Sequence, residues 1–267
     1  MRWMQEPEVE GDLSPWAIRF HKLYWEARLA PGARRVVPRI WPTSLCYFDH
    51  RKHPGVEGYV ALTFDDAFCR PGHEDGAMVE EMRALMKEHD ATGTFFTIGE
   101  YCSPLLDEVV AGLLEDGSEL SNHCARDRKH HGDLSGQFSA ALDGADKELL
   151  RLQGGLNQWF RAPHGKLSPT MDDVLATRGM QNVMFDCYGN DTQIPDGAYI
   201  ANVLLRLATH GSISLIHVPE KGFREWNFVA LRLFLEGLDA RGLKAITLTE
   251  LAWRAGYPIA EVTSPVN

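Results

Sequence analysis

The sequence predicts an α/β domain built on a parallel sheet. Three observations carry this. Seven short apolar runs recur along the chain, longer segments of helical spacing separate most of them, and polar residues gather at the ends of the runs. In chain order, residues 1–57 read as an N-terminal extension. They hold a helix over 15–29 and then a proline-punctuated stretch around Pro38 and Pro42. Residues 58–267 form the main domain. Its strands are predicted at 59–64, 94–98, 119–122, 159–161, 183–185, 212–217 and 244–248. Its helices are predicted over 76–89, 104–115, 137–152, 168–177, 198–208 and 227–241. Phe138, Leu142, Ala145, Leu149 and Leu152 share one face of the third. Strands that alternate with helices pair in parallel. An open doubly wound sheet and a barrel both satisfy this pattern.

Composition narrows the function. The chain has 267 residues, 44% hydrophobic, with a net charge of -10. That length supports a large core without metal or disulfide staples. The acidic balance argues against a nucleic-acid or anionic-membrane partner. The basic run 126–131 is too short to reverse it. Five cysteines, an odd number with no CxxC pair, argue against a disulfide framework and a zinc finger. Reduced thiols, no apolar run after a basic N-terminal patch and no membrane-length apolar stretch predict a cytoplasmic protein.

Position matters more than composition. Asp65 and Asp66 follow the first strand of the main domain, His123 the third, and Arg161 closes the fourth. Asp186 and Asp191 follow the fifth, and His217 ends the sixth. In parallel α/β folds the C-terminal strand ends meet at one face, where active sites sit. Adjacent carboxylates repel, so Asp65 and Asp66 call for something positive nearby; a metal ion, an arginine and water alone are the three candidates. His123 and Asp127 are four residues apart. A helical turn after the strand would put both on one side, able to share an ion. His130 and His131 are competing partners.

In order, "TFDD" (63–66), "SNHCARD" (121–127), "FRAPHG" (160–165), "DCYGNDTQIP" (186–195) and "LIH" (215–217) resemble the five motifs of the polysaccharide deacetylase family. This is the NodB-homology domain, or carbohydrate esterase family 4. "GTFFTIG" and "GLKAITLTEL" resemble its second and last strands, so the likeness spans about residues 58–254. It implies a distorted, incomplete (β/α)7 barrel, and a hydrolase that removes acetyl groups from an N-acetylated, chitin- or peptidoglycan-like glycan. It also implies roles. Asp65 is the base oriented by Arg161, and His217 is the general acid tuned by Asp191. Asp66 and His123 are ligands of one divalent metal ion. Leu215 lines the acetyl pocket, and Tyr188, Pro163, His164 and Trp226 line the substrate site.

This chain departs from the family pattern at the third ligand, where histidine is replaced by Asp127. Asp127 keeps the four-residue spacing and is the preferred ligand; His131, in "HHGDLS", is the alternative. "NHCARD" and "NDTQIP" resemble a variant group of the family with His-x-x-x-Asp here. A second carboxylate hardens the donor set, which makes Mn²⁺ or Co²⁺ plausible beside Zn²⁺. Two rival functions follow. One is an amidohydrolase or O-acetyl esterase acting on a small soluble substrate. The other is a non-catalytic glycan-binding protein with a degenerate metal site.

Overall fold

The computed structural model describes residues 14–29 and 32–260. Nine α-helices lie among them: α1 (Pro15–Leu29), α2 (Ala33–Ile40), α3 (Val79–Glu88), α4 (Asp107–Glu115), α5 (Ser135–Gln153), α6 (Pro169–Thr177), α7 (Gly197–Leu207), α8 (Trp226–Ala240) and α9 (Leu248–Arg254). The strands are β1 (Tyr59–Ala67), β2 (Thr94–Thr97), β3 (Glu119–Asn122), β4 (Trp159–Phe160), β5 (Gln181–Asn182), β6 (Cys187–Tyr188), β7 (Ile213–His217) and β8 (Lys244–Ile246). All pair in parallel, in the order β5-β4-β3-β2-β1-β7-β6, with β8 beside the start of β1. The two ends of that order, β5 and β6, are close in sequence, so the sheet curls into an incomplete barrel.

Strand alternation sorts the core. Val60, Leu62 and Phe64 of β1 face outward onto Met82 and Met86 of α3 and the α7–α8 layer, including Leu204 and Phe234. Ala61 faces inward with Phe96, Trp159, Val183, Ile213 and Ile246. In α5, Phe138, Leu142, Ala145 and Leu149 are all buried. Trp159 is a core residue, its Nε1 donating to Thr249 Oγ1 at 2.8 Å.

The run expected as one strand at 183–185 is instead flanked by two short strands, which raises the count from seven to eight. Its carbonyls are occupied otherwise: Arg161 donates Nε to Val183 O at 3.0 Å and Nη2 to Met184 O at 3.4 Å. The extension fills the gap. Leu45 accepts from Met184 N at 2.7 Å and donates to Asn182 O at 3.0 Å. The stretch around Pro38 forms α2, with the proline inside its last turn. Further contacts fasten the described part of the extension. Arg34 pairs with the buried Asp186 at 2.7 Å, and Trp41 Nε1 donates to Gly165 O at 3.1 Å. All five cysteines are free. No helix among the described residues is long and apolar enough to cross a membrane.

Candidate active site

The site begins with a break in the alternation of β1. Inward positions are Ala61, Thr63 and Asp65, so a regular strand would turn Asp66 outward among the helices. The pairing with β2 shifts register between Phe64 and Ala67, and Asp66 takes a left-handed φ of 60°. This bulge brings both carboxylates to the same face. Cys124, His164, Asn190 and Arg224 also have positive φ, and all lie at or beside the site. Non-glycine residues pay about 1–3 kcal/mol for such geometry, and it concentrates where side chains must be aimed.

Asp65 is buried. Its Oδ1 accepts from Arg161 Nη1 at 2.7 Å. Arg161 is itself 1% exposed and also donates to Thr63 Oγ1 at 2.8 Å, with its guanidinium 4.0 Å over the Phe96 ring. Burial lowers its pKa, and Asp65 works in the opposite direction. His123 binds the backbone carbonyl of Arg161 through Nδ1 at 2.7 Å. Its Nε2 therefore points at the aspartates, 3.6 Å from Asp66 Oδ1 and 3.9 Å from Asp65 Oδ2. Burial opposes charge on this imidazole, but the two carboxylates outweigh it and its pKa rises.

Asp66 has a second partner that sequence reasoning missed. Its Oδ2 accepts from Arg224 Nη1 at 2.7 Å. Burial would raise the Asp66 pKa, yet His123 and Arg224 hold it well below the usual carboxylate range. Arg224 lies in the loop after β7. Phe223 beside it is covered by Arg70, whose guanidinium sits 3.7 Å over the ring, while Arg224 lies 4.7 Å from the same ring. Arg70 in turn binds the buried Glu220 at 3.1 Å. The one available signal was position, because this loop leaves the same sheet edge as His217.

Opposite lies a second paired group. Asp191 is fully buried and grips His217 twice, accepting from the backbone N–H at 2.6 Å and meeting ring Nδ1 at 2.8 Å. Asn227 Nδ2 adds a bond to Asp191 at 3.1 Å. Burial disfavours the imidazolium, but Asp191 prevails and pushes the His217 pKa up to about 9. With Nδ1 engaged, Nε2 is the nitrogen left to act.

The other expected residues are distributed around this centre. Leu215 is buried on β7, beside Thr63 of β1 and Tyr188 of β6. The Tyr188 ring lies 6.2 Å from that of His217 and 5.5 Å from Trp25 of α1. Trp226 is half-buried and donates Nε1 to Asp191 O at 2.8 Å. Pro163 is buried, and His164 is exposed beside Asp127.

Asp127 does not join Asp66 and His123. Residues 125–128 form bends, no helical turn lies within 123–130, and Cys124 is left-handed, so the four-residue spacing loses its meaning. Asp127 faces His164 Nε2 at 3.2 Å and accepts from Tyr101 OH at 3.4 Å. His131 is exposed, and His130 is buried against Asp133 at 2.8 Å. Asp186 serves the extension through Arg34.

This fold and this strand-end site define a class, and comparison with known proteins agrees. The sequence profile of the polysaccharide deacetylase family matches residues 52–183, ending before Asp191 and His217. The chain is 27% identical over 195 residues to a chitooligosaccharide deacetylase of Azorhizobium caulinodans, covering 68% of this chain and 89% of the relative. A peptidoglycan-N-acetylmuramic acid deacetylase of Bacillus subtilis is 26% identical over 173 residues, 62% of each chain. Among solved structures, a peptidoglycan N-acetylglucosamine deacetylase superposes with a TM-score of 0.67 at 19% identity, covering 78% of this chain and 92% of the other. An acetyl xylan esterase of Clostridium thermocellum holding a cobalt ion gives 0.66 at 22%, covering 75% and 93%. A pseudoenzyme of the family from Bacillus anthracis gives 0.63 at 19%, covering 73% and 65%. Residues 52–183 thus match the polysaccharide deacetylase family, whose deacetylases hydrolyse carbon–nitrogen bonds other than peptide bonds.

That family is metal-dependent, so the donor set here needs testing. Asp66 Oδ1 and His123 Nε2, 3.6 Å apart, are close enough to touch one ion at the usual ~2.0–2.2 Å. A structural or catalytic site needs at least a third protein ligand. Among the described residues no group of three His, Cys, Asp or Glu side chains is arranged to hold an ion. A guanidinium already occupies the other oxygen of Asp66. The residues present do not fit the family's metal site.

Proposed function

We propose that this chain hydrolyses the acetamide of an N-acetylated glycan of the chitooligosaccharide or peptidoglycan kind. The observation that carries this reading is the pairing of Asp65 with His217. They are register partners on β1 and β7, neighbouring strands ~4.8 Å apart, and each is fixed by its own buried partner. Two groups held apart in this way, one anionic and one cationic, suit base and acid roles.

The chemistry follows from those partners. Arg161 holds Asp65 Oδ1, leaving Oδ2 to take a proton from water as its oxygen attacks the acetyl carbon. The tetrahedral oxyanion then collapses and the C–N bond breaks. The departing nitrogen takes a proton from His217 Nε2, because an unprotonated amine leaves poorly. Acetate and a free amino sugar result. With a pKa of about 9, His217 is cationic at neutral pH, as this step requires. Leu215 would bound the methyl pocket. Tyr188, Trp226, Pro163 and His164 would flank the sugar.

The position of Asp127, away from Asp66 and His123, supports a second reading: a protein that binds glycan without turning it over. One assay separates them. Acetate release would be measured on N-acetylglucosamine oligomers, acetylated xylan and small cyclic amides. Release from the oligomers supports the deacetylase. Release from xylan or the cyclic amides alone supports the esterase or small-amide hydrolase. Binding of oligomers without release supports the binding protein.

A further inference from the structure

We propose that Arg224 is the resident cation of this site, standing opposite Asp66 in place of a divalent metal ion. Four observations converge. Asp66 Oδ2 is bonded to Arg224 at 2.7 Å, which leaves only Oδ1, 3.6 Å from His123 Nε2, facing the imidazole. The residue expected as third ligand, Asp127, is turned to His164 and Tyr101. The guanidinium is aimed rather than incidental. Its backbone is left-handed at φ 53°, its neighbour Phe223 is held under Arg70, and Arg70 is anchored by buried Glu220. Finally, Nη1 alone donates within the protein among the described residues, leaving Nε and Nη2 available in a side chain 19% exposed.

A guanidinium is planar, permanently charged and suited to paired oxygens. Its remaining N–H groups can donate to the acetyl oxygen as charge develops there, which is the task of an oxyanion donor. In this respect the inference rests on the hydrolytic reading. The exclusion of metal does not, since it follows from the occupancy of Asp66.

The test uses the full chain, stripped with a chelator and dialysed against Zn²⁺, Mn²⁺ or Co²⁺. Elemental analysis and titration calorimetry read uptake. Wild type is expected to retain no stoichiometric ion. Arg224→Met, which frees the Asp66 carboxylate, should bind Zn²⁺ at least ~10-fold more tightly than wild type, while Arg224→Lys should behave as wild type. A stoichiometric ion in wild type that Asp66→Asn abolishes would overturn the proposal. So would equal, weak uptake by wild type and a folded Arg224→Met. If Arg224→Met does not fold, the wild-type measurement decides alone. Where turnover is present, Arg224→Met should lower kcat with little change in KM, the signature of a contact made in the transition state. If no acetate is released from any substrate, the hydrolytic reading fails while the metal result stands.

Discussion

Asp65 and Asp66 are neighbours in the chain with opposite surroundings. Asp65 is locked from below, in the buried barrel interior, by an arginine that also binds two backbone carbonyls and a threonine. Asp66 is met from above by an arginine on a loop at the edge of the cleft. The first cation is part of the core; the second is part of the mouth. Two adjacent carboxylates can end one strand because each has its own guanidinium, and the difference in burial separates a structural partner from one that can meet substrate.

Ways to break that comparison run from large effects to small. Asp65→Asn keeps an acceptor for Arg161 but cannot take a proton. Acetate release should fall about 10²–10⁴-fold with the circular dichroism spectrum unchanged, and unaltered kcat would remove Asp65 from the base role. Arg161→Ala leaves Asp65 buried and unpaired, so chemical denaturation should show a loss of about 3–5 kcal/mol. A loss under ~1 kcal/mol would mean that water replaces the guanidinium.

Asp191→Asn sharpens the other half of the site through pH. The His217 pKa is raised from 6.5 to about 9 in the folded chain. Its contribution to stability is therefore complete below pH 6.5 and lost as pH rises through about 9. Asp191 and Asp66 favour the imidazolium and Arg224 opposes it, with Asp191 the strongest of these charges. Removing that charge should move the alkaline limb of the rate profile down toward 6.5; an unmoved limb would mean that another group sets it. Asp127→Ala should have the smallest effect. Its contact with His164 is partly exposed, so the stability change should stay within ~1 kcal/mol, read from thermal melts. A large loss of activity would instead return Asp127 to the centre of the site.

Much of the fold was legible. The alternation in 59–64 and the apolar face of 137–152 both reflect burial, which periodicity reports directly. The positional rule brought Asp65, His123, Arg161, Asp191 and His217 to one face because parallel strands share polarity. What escaped depends on tertiary detail. The 183–185 run looked like a strand, yet its carbonyls serve Arg161. The spacing of His123 and Asp127 suggested a shared helical face, yet a left-handed Cys124 turns the chain away. Arg224 belongs to no periodic segment, and its aim depends on Phe223, Arg70 and Glu220 together.

The most direct test of the two-arginine account is a crystal grown with excess zinc and measured at the zinc absorption edge. The account predicts Arg224 against Asp66 and no anomalous peak between Asp66 and His123. A full-occupancy peak there, with Arg224 displaced, would contradict it.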